Sequence, residues 1–250
     1  MVQKVQWVQE VQEGQNVQEV HRLNPLHRLN PLNPFSSRTC SMSRGDLNMP
    51  INAAIGFRVK SGWATAVLLS GPAASPRVAD RSIVELSDPK VPDARQPFHA
   101  GVGQAQTDEA IVERLIGAIE RYACRSIADA ITRYRAAGHS LGGAAIVVGS
   151  DVDPQRIANP HIRAHASEGR LFRTVVEQGC RECRVPCAVV LERNVYSTAS
   201  RTLAMPEARL RQAVTDLGKL FGGPWRAEEK LAAVAAWHVL AMGPAPQRRR

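Results

Sequence analysis

The sequence predicts an α/β domain starting at Met49, with its elements in the order β-β-β-α-β-α-β-α. Three observations carry that expectation. Two short apolar runs, Ala53–Val59 and Trp63–Leu69, flank Lys60-Ser61-Gly62, the pattern of a tight β-hairpin. Apolar residues then recur at helical spacing from Ile111 to Tyr134. Ala144–Val148 is a continuous apolar run, as a strand buried on both faces requires.

The remaining elements follow from local chemistry. Arg77–Leu86 alternates Val78, Ile83 and Leu86 with Asp80, Arg81 and Glu85, and reads as a third strand after Gly71-Pro72. Asp88–Gly103 contains Pro89, Pro92, Pro97 and Gly101 and reads as a loop. Thr107 is placed to cap the long helix, whose first turn carries Asp108 and Glu109 at the positive end of the helix dipole. Its stripe runs through Ile111, Leu115, Ile119, Ile127, Ile131 and Tyr134, and Gly138 ends it. Asn159-Pro160 opens a second helix, with proline at the first position, where no amide proton is needed. Ile162, Ala166, Gly169, Phe172 and Val176 are its expected inner face, and Gly179 its stop. Ala188–Leu191 reads as a short buried strand. A last helical stretch starts at Pro206, bends or breaks at Gly222-Gly223-Pro224 and continues through Leu231, Val234 and Leu240. Trp63 and Trp225 read as core or hinge packing, and His238 as a core or edge histidine.

Residues 1–48 have a different texture. Val-Gln recurs five times before residue 19, and His-Arg-Leu-Asn-Pro-Leu occurs twice, at 21–26 and 27–32. Such repeats bury little, and their Asn-Pro breaks interrupt any helix, so the segment reads as a disordered low-complexity arm or an overlong reading frame. Residues 49–245 then form one domain and 246–250 a basic tail. Across 250 residues, 44% are apolar and 22% charged, which supports a core and argues against global disorder. No apolar run approaches the roughly 20 residues of a membrane span, and the first 20 residues are too rich in Gln and Glu for a signal peptide. Five cysteines, an odd number without secretory context, predict reduced thiols in a soluble, cytoplasmic protein. The net charge of +9 and a pI near 9.9 lean toward a polyanionic partner. Of the 32 basic residues 27 are arginine, the better bidentate phosphate ligand, although a GC-rich coding sequence gives the same ratio.

The element order over Ile51 to about Leu240, with Gly56-Phe57-Arg58-Val59-Lys60-Ser61-Gly62-Trp63-Ala64-Thr65-Ala66-Val67 as a first hairpin, resembles the ribonuclease H-like superfamily. That superfamily includes Holliday-junction resolvases and actin-like ATPases. The resemblance implies a ribonuclease H-like mixed sheet. For nucleases of this fold it also implies carboxylates that hold two divalent ions, since hard cations take oxygen ligands. One such acid belongs in the middle of the first strand, where Arg58 stands. Others belong near the end of the fourth strand, where Asp151 and Asp153 sit, and in the last helix, where Glu228 and Glu229 sit. Asp-Val-Asp-Pro is equally an ordinary strand-to-helix turn. Without the central acid, the resemblance points to a non-catalytic or cryptically catalytic member that engages nucleic acid through arginines.

Gly138-His139-Ser140-Leu141-Gly142-Gly143 matches the nucleophile elbow of α/β-hydrolases letter for letter, with Ser140 as nucleophile. An elbow needs a strand before the serine and a helix after it, and the predicted order here is the reverse. A serine hydrolase using Ser140 is therefore the alternative reading, and a protein–protein scaffold a third. Cys180, Cys183 and Cys187 could hold a metal, but a fourth ligand is missing locally. On the second helix His161 and His165 lie four apart, with Glu168 three further on, so one face carries all three. That face follows the fourth strand, where α/β folds build sites, and suits metal ligation or acid–base work. The loop residues Asp88, Arg95 and His99 could join it. The candidate site residues are therefore Asp151, Asp153, His161, His165 and Glu168. No cofactor is implied, since no glycine-rich phosphate loop is present, and the oligomeric state is left open.

Overall fold

The computed structural model describes residues 51–101 and 103–243. The expected arm (1–48) and basic tail (246–250) lie outside the described residues. A five-stranded sheet runs in the order β3-β2-β1-β6-β7. Its strands are β1 (Ile51–Lys60), β2 (Trp63–Ser70), β3 (Arg77–Glu85), β6 (His139–Val148) and β7 (Cys187–Leu191). A two-stranded ribbon pairs β4 (His99–Gly101), inside the Asp88–Gly103 stretch expected to be a loop, with β5 (Gln104–Ala105) just after it. β2 is antiparallel to β1 and β3, whereas β6 is parallel to β1 and β7 to β6. Four of the five strands therefore point the same way. The segments leaving the ends of β3, β6 and β7 all start from one end of the sheet.

Among the described residues five α-helices cover the two faces: α1 (Glu109–Ala136), α2 (Pro160–Glu182), α3 (Val195–Thr202), α4 (Glu207–Phe221) and α5 (Ala227–Met242). Side chains alternate along β1, so Ala53, Ile55 and Phe57 join Ile119, Ile127 and Phe172 in a core under α1 and α2. Ala54 joins Leu210, Val214 and Ala232–Ala236 in a second core under α3, α4 and α5. Gly56 falls on that second face, where α5 crosses β1 so closely that any Cβ would collide with the Ala232 carbonyl. The alanine-rich run of α5 permits that approach, because small side chains let backbone meet backbone.

Most local expectations hold, and the exceptions have physical causes. Asp108 rather than Thr107 caps α1, its carboxylate accepting from the amides of Ala110 and Ile111. Gly138 ends α1 with φ of +86°, a conformation costly for residues with a Cβ. Asn159 caps α2, accepting from the amides of His161 and Ile162, with Pro160 in the first turn. The inner face of α2 differs from the expected one. Ala164, Glu168, Phe172, Val175, Val176 and Cys180 are buried, while Ile162 is 52% exposed. The ribbon and its flanking loop cover the start of α2 and engage the histidine–glutamate side, which turns Ile162 outward. β7 is a half-buried edge strand rather than a fully buried one, since the described sheet ends there. The last helical stretch starts after Pro206 and breaks at Gly222–Pro224 into α4 and α5 as expected, and the short α3 before Pro206 is an additional helix. Trp225 serves as the expected hinge, its Nε1 donating to the Val214 carbonyl across the Gly222–Pro224 break.

Tyr134 closes the lower end of the first core. Its hydroxyl donates to Asp80 at 2.7 Å, and burial holds its pKa up at about 12. The neutral phenol is thus favoured in the folded state, a contribution lost as pH rises from about 10 through about 12. A phenolate titration should show a late step near pH 12 that disappears in Tyr134→Phe, while Tyr196, also raised by burial, still titrates late. A Tyr134→Phe protein with an unchanged titration would refute this assignment. Gly56→Ala should abolish soluble folding, since the α5 backbone has nowhere to move, a loss of several kcal/mol by the scale of ~1–3 kcal/mol for ordinary overpacking. Circular dichroism and thermal melts of that variant check the point.

Candidate functional site

His99, His161, His165 and Glu168 meet beside the start of α2. The cap at Asn159 sets the phase of α2, so His161, His165 and Glu168 project on one side at helical spacing. His99 arrives from β4, which is held by amide-to-carbonyl bonds from His99 to Gln96 (3.0 Å) and from Gln106 to Phe98 (2.8 Å). The rings of His99 and His165 lie 4.5 Å apart between centroids, those of His161 and His165 4.6 Å, and those of His99 and His161 5.2 Å. Among the described residues these three histidines form the one group of its kind, with ligand atoms all within 4.8 Å of one another.

Glu168 supports the group from below. Its side chain is fully buried, and Oε1 lies 2.7 Å from His99 Nδ1. With the carboxylate ionised, Nδ1–H donates, and His99 Nε2 is left as a bare acceptor. Glu168 Oε2 lies 3.8 Å from His165 Nδ1. Burial pushes the Glu168 carboxyl above its ordinary value, while the His99 ring and the Phe98 backbone pull it back. Burial, with the neighbouring His99 and His161 rings, lowers the pKa of His165 and favours its neutral form. His161 and His165 approach Nε2 to Nε2 at 3.2 Å. His99 Nε2, His161 Nδ1 and Glu168 Oε2 are buried without a hydrogen-bond partner in the protein. Three imidazoles over the buried Glu168 side chain are suited to bind a cation or pass a proton.

The other expected residues lie elsewhere or have other partners. Asp151 pairs with Arg173. Asp153 accepts from the Gln155 amide at 3.2 Å and meets Arg170 at 3.4 Å, so it works as a turn cap. Of the loop residues, His99 joins the cluster. Asp88 instead accepts from the Lys90 amide at 2.9 Å, and Arg95 meets Glu85 at 3.4 Å. No signal in the sequence singled out His99 from its neighbours; its partner Glu168 is 69 residues away. The cysteine trio does not converge in the manner of the histidines. Cys180 is buried, and its contact with Cys187 together with burial raises its pKa, which keeps it a neutral thiol. Ser140 lies within the β1–β6 ladder opposite Asn52, and strand continues after it. No nucleophile elbow exists there.

Arg58, in the stretch of β1 where the resemblance implied an acid, forms an ion pair. Arg58, whose side chain is 7% exposed, pairs with Glu192 just beyond β7 and donates to the Val59 carbonyl at 2.8 Å. By the alternation of β1, Arg58 falls on the Gly56 face, opposite the face covered by α2. Glu228 lies 3.8 Å from Lys60, and Glu229 accepts from the Arg226 amide at 2.8 Å as the cap of α5.

Strand order and direction give a mixed α/β sheet that resembles the ribonuclease H-like fold. No family model and no curated relative matches the sequence. Solved structures similar to this chain include Thermus thermophilus RuvC in complex with a Holliday junction substrate, at 12% identity and a TM-score of 0.46, covering 74% of this chain and 90% of that one. The yeast mitochondrial Holliday junction resolvase Ydc2 matches at 8% identity and a TM-score of 0.38, covering 77% and 78%. An Aquifex aeolicus member of the Ppx/GppA family matches at 9% and 0.33, covering 62% of this chain and 40% of that one.

The Arg58–Glu192 pair makes an asymmetric prediction. Glu192 is 43% exposed and Arg58 is not, so removing the acid strands a buried cation, whereas removing the arginine frees a carboxylate to water. Glu192→Ala should cost about 1–3 kcal/mol, after allowing for screening at the exposed acid. Arg58→Met should cost less. Urea unfolding of both variants measures the order, and a cheaper Glu192→Ala would contradict it.

Proposed function

We propose that this chain is a non-catalytic ribonuclease H-like protein that engages nucleic acid through its arginines. The observation that carries the first half is Arg58. A guanidinium buried in the first strand and paired with Glu192 puts positive charge where a two-metal nuclease of this fold needs a carboxylate. Asp151 and Asp153 are neutralised by Arg173 and Arg170, which further reduces the field available to a divalent ion at that end of the sheet. The second half is supported by the net charge of +9 and by Arg193, Arg201, Arg209 and Arg211, exposed along residues 193–211 with Glu207 as the single acid between them. The resolvase neighbours, one of them solved on a Holliday junction, act on the same class of ligand. Asp151, Asp153, His161, His165 and Glu168 are then not nuclease ligands in this reading, and the histidine cluster has a separate role.

Fluorescence anisotropy of the full chain against labelled duplex, four-way junction and single-stranded RNA tests the proposal. Binding should weaken by orders of magnitude between about 50 and 200 mM salt if several phosphates are contacted. Charge reversal at Arg193, Arg201 and Arg209 together should weaken binding to all three ligands. No cleavage should follow addition of Mg²⁺ or Mn²⁺. Absence of binding at low salt would sink the nucleic-acid half and leave a protein scaffold, while cleavage would sink the non-catalytic half.

A further inference from the structure

We propose that His99, His161 and His165 form a binding site for a zinc-type divalent transition metal ion, with Glu168 as the carboxylate that positions the histidines. The inference is independent of the nucleic-acid reading, because the cluster lies on the α1–α2 side of the sheet and Arg58 on the other. Four features carry it. Neutral imidazoles are ligands for zinc, cobalt, nickel or copper rather than for magnesium, which prefers oxygen. A tetrahedral ion with zinc–nitrogen bonds of about 2.0–2.1 Å holds its ligand atoms about 3.3 Å apart. The Nε2 atoms of His161 and His165 already stand 3.2 Å apart. Glu168, fully buried and 2.7 Å from His99 Nδ1, holds the tautomer that leaves Nε2 free to coordinate, the usual carboxylate–histidine–metal relay.

The fourth feature is the set of unpartnered atoms. His99 Nε2 and Glu168 Oε2 are buried with no hydrogen-bond partner in the protein. A structural histidine cluster would leave Nε2 desolvated for no return. An ion coordinated by that nitrogen satisfies it, and its charge compensates the carboxylate buried beneath. His165 remains 36% exposed, so the site is reachable from solvent on that side. Three protein ligands leave a fourth position for water or a donor atom of a ligand, as in zinc sites that are open rather than purely structural. The ion would also tie β4 to α2, two segments that share no backbone ladder.

Cobalt titration of the full-length, metal-stripped chain under reducing conditions tests this. One equivalent of Co²⁺ should bind with the intense visible bands of a four-coordinate ion and be displaced by Zn²⁺. His161→Asn and His165→Asn should each weaken binding at least about 100-fold, and Glu168→Gln by about 10–100-fold. Circular dichroism confirms that each variant is folded. Should Glu168→Gln fail to fold, the His161→Asn result decides alone, since His161 sits in the first turn of α2 and is only half-buried. Zn²⁺ should also raise the Tm of the wild-type chain and not that of His161→Asn. The proposal is overturned by an absence of Co²⁺ and Zn²⁺ binding at micromolar concentrations, or by unchanged affinity in the histidine variants. A sulfur-to-cobalt charge-transfer band would equally overturn it, because it would put the ion on the cysteines.

Discussion

The close crossing of α5 over β1 at Gly56 is the constraint on which the rest of the molecule depends. β1 is the central strand, buried on both faces, and among the described residues it is the only strand that pairs antiparallel on one side and parallel on the other. Its odd-numbered residues build the core under α1 and α2, and its even-numbered residues meet the helices that follow β7. The absence of a side chain at Gly56 lets α5 settle onto the sheet and seal the second core. Two residues further along the same face comes Arg58, so the contact that seals the second core also fixes where that charge is buried.

The direction of the strands decides where chemistry can gather. β1, β3, β6 and β7 point the same way, so the loop after β3, the turn into α2 and the turn after β7 share one end of the sheet. That is the end at which open α/β sheets place ligands. Here the end carries two polar assemblies on opposite faces. One is the Arg58–Glu192 pair beside the end of β7. The other is the histidine–glutamate cluster, assembled from β4 and α2.

Much of this was legible in the amino-acid order because it is set by near neighbours. The hairpin around Lys60-Ser61-Gly62, the stripe of α1, the continuous apolar run of β6 and the caps at Asn159 and Gly138 all depend on residues within a few positions of each other. The contradiction between Gly138–Gly143 and a nucleophile elbow was equally local, since helix-turn-strand cannot present Ser140 on a strained strand-to-helix turn. Arg58 stood out in the sequence as a charge of the wrong sign at its position. His161, His165 and Glu168 were identifiable as one face of a helix from spacing alone.

Tertiary structure decided what those faces meet. Helical periodicity gives the angle between Ile162 and His161 but not which of them turns inward, and hydrophobicity favoured Ile162. The outcome was set by β4, which brings His99 to Glu168. Asp151 and Asp153 read from sequence as site acids, yet their fate depended on Arg173 and Arg170, two helical turns or more away along α2. Sequence alone thus determined the elements, their order and the local caps, because hydrogen-bond geometry and side-chain period act over a few residues. The partner of a buried charge is chosen by which segments the sheet brings to the same end, and only the folded chain makes that choice.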